Sequence, residues 1–155
     1  MNNLTIKVRD ASESDLDAIA RGNARMAEET ESKTLDSGVL RDGVARILAD
    51  RRLGRYWVAT SGDQVIGQIM VTYEWSDWRN TNLWWIQSVY VDATHRRAGA
   101  FRALYAHVQQ LAQADTDCGG LRLYVETSNE RAQQVYEALG MTKTGYLVME
   151  SLFAP

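Results

Sequence analysis

Proline is all but missing from this chain: its single proline is Pro155, the last of 155 residues. No repeat, low-complexity tract or Pro-rich stretch marks a linker, and the length suits one domain, residues 1–155, that buries its own core. Cysteine is as scarce. Cys118 stands alone, which excludes an internal disulfide framework and a cysteine-based zinc site. No histidine adjoins it in sequence, so it reads as a half-buried thiol before Gly119-Gly120 rather than a nucleophile. No apolar run approaches the roughly 20 residues of a membrane-spanning helix, and the first residues lack the basic-then-apolar pattern of a secretory leader. The expectation is a cytoplasmic protein with no membrane partner. Basic residues are not in excess either. Lysine and arginine number 17 against 20 acidic residues, a formal charge of -3, which speaks against a nucleic-acid partner. Gly-Lys-Ser/Thr is absent, and no three-glycine dinucleotide fingerprint follows the first strand.

What is present is the patterning of an ordinary globular α/β chain, with 45% hydrophobic and 24% charged residues. Leu4–Arg9 alternates apolar and polar residues as a half-buried strand does. Ser12 followed by Asp15 is a capping-box-like start for a helix with Leu16, Ile19, Ala20, Asn23 and Ala27 on one stripe. A second helix follows Asp36 or Ser37 and buries Leu40, Val44, Ile47 and Leu48. Tyr56–Thr60 and Val65–Tyr73 flank a short Gly62 turn, the pattern of a hairpin. Trp84–Val91 reads as a central strand, and Phe101, Leu104, Tyr105, Val108 and Leu111 as the buried face of a helix. Leu121–Glu126 alternates as a strand, Asn129–Leu139 is a helix stopped by Gly140, and Tyr146–Glu150 is the last expected strand. The order βααβββαβαβ describes an α/β (α+β) domain of three layers, a mixed central sheet flanked by helices.

The most informative stretch runs from Val89 to Phe101: a strand, a basic turn with one glycine, then a helix start. A helix N-terminus carries N–H groups without intrahelical partners and a partial positive charge, a seat for phosphate or pyrophosphate. Arg96 and Arg97 add charge-assisted donors beside it. Read alone, the turn is equally an ordinary strand-to-helix connection with exposed arginines.

A second motif lies downstream, with Asn129, Ala132, Tyr136 and Gly140-Met141 at fixed spacing on one helix. The two motifs in this order, one helix and one strand apart, resemble the GNAT superfamily of acetyl-CoA-dependent N-acetyltransferases. In the first, Arg96, Arg97, Ala98, Gly99, Ala100 and Phe101 occupy the family's pyrophosphate loop, with Phe101 where a small residue is usual. The element order extends the resemblance over essentially the whole chain.

The resemblance implies acetyl-CoA as acyl donor, no metal, and direct attack by an amine in a ternary complex. It implies that Val89, Tyr90 and Val91 lie along the pantetheine arm, with the Val89 N–H near the thioester oxygen. One such donor is worth on the order of 3 kcal/mol of barrier in other enzymes. It further implies that the amides from Arg97 through Ala98, Gly99, Ala100 and Phe101 to Arg102 hold the pyrophosphate, with Arg96 beside them, and that Asn129 meets the pantetheine. Tyr136 takes the family position of the acid that protonates the leaving thiolate, a role suited to a phenol titrating at about 10. Each residue also has a plainer reading: Val89 and Val91 as core strand, Asn129 as helix cap, Tyr136 as an aromatic on the apolar stripe.

The general base is sought among carboxylates, because His95 and His107 read as exposed. Glu28, Glu29 and Glu31 follow the first helix, Glu74 and Asp77 the hairpin, and Glu126 ends a strand. In the family, the segment after the first helix commonly walls the acceptor site. Glu28 is therefore the catalytic candidate, and Glu28, Glu29, Glu31 and Trp85 the acceptor candidates, with ordered water as the other possible base. Four of the five tryptophans lie between Tyr73 and Trp85, a band that can cradle an organic cation, form a subunit interface or pack the hairpin. For Trp75 and Trp78 packing or an interface ranks first, which leaves a homodimer open. Trp84 and Trp85 face opposite sides of their strand. The expected activity is acetylation of a primary amine on a small molecule or peptide. A non-catalytic acyl-CoA sensor or regulatory module is the alternative.

Overall fold

The computed structural model describes residues 5–153, so Leu4 of the expected first strand lies outside the described residues. The chain forms two compact units, Met1–Leu123 and Tyr124–Pro155. In the first unit β1 (Ile6–Asp10) leads into α1 (Leu16–Glu31) and α2 (Ser37–Ala49). Then come β2 (Arg55–Ser61), β3 (Gln64–Ser76), β4 (Thr81–Val91), α3 (Ala100–Ala114) and β5 (Cys118–Leu123). The strands lie in the order β1-β2-β3-β4-β5, antiparallel except for the β4/β5 pair. A parallel pair needs a crossover connection, and α3 supplies it.

The pleat of each strand sends successive side chains to opposite faces, and both faces of β2 and β3 are buried. Tyr56, Val58 and Met70 turn toward α1 and α2, where they pack with Ile19 and Val44. On the other face Trp57 stacks on Trp84 at 6.2 Å and meets His107 of α3 edge-on. A β-carbon on Gly67 would meet Leu104 and Val91 side chains at 3.4 Å and the Tyr90 carbonyl at 2.9 Å. That glycine lets α3 and the end of β4 close on β3.

The α1 side also buries polar groups. Gln68 donates from Nε2 to the Ile19 carbonyl (3.0 Å) and to Asn23 Oδ1 (2.9 Å), and Asn23 Nδ2 donates to the Tyr56 hydroxyl (3.0 Å). Asn23, placed on the stripe by its spacing, is buried as a hydrogen-bonding residue. Every member has a partner, so the network ties α1 to β2 and β3 without an orphaned polar group.

The start of α1 hangs on Asp15. Its carboxylate accepts from the Ser12 N–H at 2.8 Å and from both Arg9 terminal nitrogens at 2.7 and 2.9 Å. The Arg9 hydrogen bonds, reinforced by Ser12, hold the Asp15 carboxyl below its ordinary value against the opposing effect of burial. Asp15→Ala is expected to cost about 1–2 kcal/mol by urea unfolding at pH 7, as the loss of a helix-start cap does. Because the folded value is depressed, this contribution is complete above about pH 4 and fades as pH falls through the depressed value. Wild type and variant therefore converge in acid.

Three expectations are revised by the tertiary structure. β3 and β4 run on past Tyr73 and before Trp84 as a long hairpin, because Trp75 pairs with Asn82 and Ser76 with Thr81. β5 ends at Leu123 rather than Glu126, its pairing with β4 covering Asn82–Ile86. In the second unit α4 (Glu130–Ala138) closes with Met141 N–H on the Tyr136 carbonyl at 3.0 Å, as Gly140 suggested. Tyr146–Glu150, however, is not among the described strands, so the described order ends at α4. Alternation creates a strand-like sequence, but a strand exists only where a neighbour supplies the ladder. No helix among the described residues is long and apolar enough to cross a membrane.

Candidate functional site

The site is set by an irregularity in β4. Met70 pairs with Ser88 and Val71 with Ile86, so Gln87 is an extra residue bulged out of the β3/β4 ladder. Bulges sharpen the local twist and end regular pairing. The last β4/β5 pair is Ile86 with Leu123, and from Ser88 to Val91 the described strand pairing of β4 is with β3 alone.

The backbone direction there follows from one hydrogen bond. The Asp92 N–H donates to the Ile66 carbonyl of β3 at 2.8 Å. Backbone groups alternate sides along a strand, so Tyr90 also turns its N–H toward β3, while Val89 and Val91 turn N–H and C=O toward the opposite edge. The Val91 carbonyl on that edge accepts from Arg96 Nε at 3.0 Å. Recruiting Val89 and Val91 therefore needs no side-chain change; only their backbone is offered.

The chain then passes a short turn, Ala93–His95, and enters α3 through two left-handed residues, Arg97 at φ 67° and Gly99 at φ 92°. Asp92 accepts from Thr94 N (3.0 Å) and Oγ1 (2.7 Å), and these bonds, with Arg25 adding, hold its carboxyl below the ordinary range. The first turn of α3 has no acidic residue, and its leading N–H groups, Ala100 to Arg102, have no carbonyl within the helix to bond. Ala100, the first residue of α3, is buried. Phe101, the irregular residue of the motif, lies along the helix against Tyr105, ring centroids 6.4 Å apart and near parallel. Its side chain is accounted for by packing, which leaves its N–H to the turn.

Two ion pairs join α1 to this turn across 67 residues of sequence. Arg25 meets Asp92 at 2.8 Å, and Arg96 pairs with Glu29. Arg96 also lies 5.7 Å over the Tyr90 ring. Its guanidinium thus braces the end of β4, the turn and α1 together. Sequence reasoning missed Arg25 and Asp92, since nothing local marks partners so far apart.

The acidic segment, expected after the first helix, lies within α1 (Leu16–Glu31), and it divides. Glu29 is taken by Arg96, and Glu31 pairs with Lys33 at 2.7 Å. Among the described residues Glu28 is the member of the three without an ion pair, and it is exposed. Trp85 is elsewhere: its Nε1 donates to Glu74 Oε2 at 3.2 Å, and Arg122 pairs with Glu74 at 2.9 Å. Trp84 is buried between Trp57 and Tyr73, whereas Trp75 and Trp78 are exposed and do not pack the hairpin. His95 and His107 are half-buried rather than exposed, His95 Nδ1 lying 2.9 Å from the Thr94 hydroxyl.

The second unit carries the other motif. Asn129 caps α4, accepting from the Ala132 N–H at 3.0 Å, so its plain role is met. Tyr136 is half-buried on the same side of α4 as Ala132 and Leu139.

Comparison with known proteins gives a consistent answer. Residues 23–141 match the acetyltransferase (GNAT) family. A stretch of 79 residues is 32% identical to thialysine N-epsilon-acetyltransferase of Bos taurus, covering 51% of this chain and 45% of that protein. The match thus spans less than half the length of this relative. The crystal structure of a possible acetyltransferase from Clostridium difficile 630 is 47% identical over 97% of this chain and 99% of its own, with a TM-score of 0.91. At 17% identity and a TM-score of 0.74, an aminoglycoside acetyltransferase from an uncultured soil metagenomic sample shares the fold, covering 99% of both chains.

Proposed function

This chain belongs to the acetyltransferase (GNAT) family, and from that premise we propose that residues 1–155 act as one domain that transfers an acetyl group from acetyl-CoA to a primary amine by direct attack. The observation that carries the reading is the stretch of β4 beyond its last pair with β5. There Val89 and Val91 turn their backbone groups away from β3, beyond the last described pair with β5, and the strand leads straight into the N-terminus of α3. A pantetheine amide chain fits such an edge as an added strand would, and a pyrophosphate fits the helix start.

Acetyl-CoA supplies the activated acyl group as a thioester. The chain's residues do the rest. Backbone amides from Arg97 to Arg102 bind the pyrophosphate, while Arg96 braces the turn against Val91 and Glu29. The Val89 N–H donates to the thioester oxygen as negative charge develops there. Tyr136 gives its phenolic proton to the departing thiolate. Glu28, exposed at the end of α1, takes the proton of the attacking amine directly or through water. The acidic segment around it favours a cationic acceptor.

Release of free thiol from acetyl-CoA across a panel of cationic and neutral amines, with mass spectrometry of the acceptor, tests the reading. Thiol release that depends on a primary amine and adds one acetyl group to it is expected. Binding of acetyl-CoA without thiol release across the panel would instead identify a sensor module.

A further inference from the structure

The turn between β4 and α3 has little burial of its own to hold it. From Ala93 to Gly99 His95 alone is half-buried, and the other residues are exposed. The turn nevertheless contains Arg97 at φ 67°, a left-handed conformation that side chains adopt at a cost and keep only where the surroundings impose it. Ordering such a turn at the moment of binding would lower affinity, and a turn held in advance avoids that loss.

α1 is placed to hold it. The helix is fixed against the sheet by buried Gln68, which donates to the Ile19 carbonyl and to Asn23. It lies so close that a β-carbon on Gly22 would fall 2.8 Å from Gln68 Cδ. Two residues past Asn23 the helix presents Arg25 to solvent, and one turn later Glu29. Residues four apart share a helix face. Arg25 takes Asp92 at the entry of the turn at 2.8 Å, and Glu29 takes Arg96, the neighbour of left-handed Arg97. The signs are crossed: α1 offers a cation and then an anion, the turn an anion and then a cation. A slip of one helical turn would set Glu29 against Asp92 or Arg25 against Arg96. Like charges then meet, so the four groups specify one register.

Resting on the acetyl-transfer reading, we propose that Arg25 and Glu29 are positioning residues for acetyl-CoA. Through Asp92 and Arg96 they hold the pyrophosphate turn in its binding shape before the cofactor arrives. Charge and shape act in opposite directions here. Glu29 and Asp92 are anionic, as pyrophosphate is, so by charge alone the removal of either should tighten binding. As parts of the clamp, the loss of either should weaken it.

Calorimetric titration of the full chain with acetyl-CoA, no amine present, tests this. Kd should rise about three- to fivefold in Glu29→Ala and in Asp92→Asn, the range of a lost exposed ion pair. Asp92→Asn keeps an oxygen for Thr94. Arg25→Lys should bind as the unaltered chain does, and Arg25→Met should weaken binding as Asp92→Asn does. Arg25→Met combined with Asp92→Asn should bind no more weakly than either alone, because both remove the same pair. A merely structural clamp would lower the unfolding midpoint and leave Kd unmoved. Unchanged or tighter binding in Glu29→Ala or Asp92→Asn would therefore overturn the proposal. If Asp92→Asn does not fold, Glu29→Ala, altered at an exposed position of α1, decides by itself. Equal binding by the unaltered chain and the variants sinks the proposal alone, whereas no binding by the unaltered chain sinks the acetyl-transfer reading with it.

Discussion

Gly99→Val is expected to weaken acetyl-CoA binding by about 10- to 100-fold, measured as Kd by calorimetry. A β-carbon at this position would meet nothing within 4 Å, so the penalty is not steric crowding by neighbours. It lies in the backbone. Gly99 sits at φ 92°, a conformation that a β-branched residue adopts only at a cost of about 1–3 kcal/mol. The turn relieves that cost by rotating, and rotation re-aims the Ala100 and Phe101 amides proposed to bind the pyrophosphate. At 1.4 kcal/mol per tenfold change, the strain converts to the stated loss. Arg97→Ala is the control. It keeps the backbone path and removes one charged donor from an exposed turn, so its effect should stay below about fivefold. If Arg97→Ala weakened binding more than Gly99→Val, the grip would reside in side chains, and the proposed use of backbone amides would be wrong.

Tyr136→Phe should lower kcat by about 100-fold or more, the usual contribution of a positioned acid, with Kd for acetyl-CoA unchanged. The substitution removes one oxygen from a half-buried ring on α4 and keeps its packing, so the helix should remain formed. The separation of kcat from Kd matters because a merely structural tyrosine would move both or neither. A pre-steady-state comparison sharpens it: acceptors giving a slower chemical step should show the full loss, while product release should not. Unchanged turnover would return Tyr136 to the role of a packing aromatic and leave thiolate protonation to water.

Much of the fold could be read before any coordinates. The β-rich runs of β2 and β3 around the Gly62 turn and the helical spacing of Leu104, Tyr105 and Val108 reflect burial that side chains along a single element reveal. The turn at Gly99 was visible because a left-handed residue before a helix favours glycine. The Gln87 bulge was not legible, since an extra residue shows only against the register of a partner strand. Arg96 looked like a phosphate ligand because its neighbours are local. That it braces α1 through Glu29 depends on a contact 67 residues away. Tyr146–Glu150 shows the converse case, an alternating sequence that is not among the described strands.

The sequence by itself therefore determined the order of elements from β1 through α4, the helix start with its glycine turn, and the spacing of Asn129 and Tyr136. These are properties of short segments, governed by dihedral preference and local periodicity. Tertiary structure alone decided where β4 leaves β5, which edge Val89 and Val91 face, and which carboxylates are already held by arginines. Each of those depends on pairing between segments far apart in the chain, and pairing is a property of two segments that neither one encodes alone.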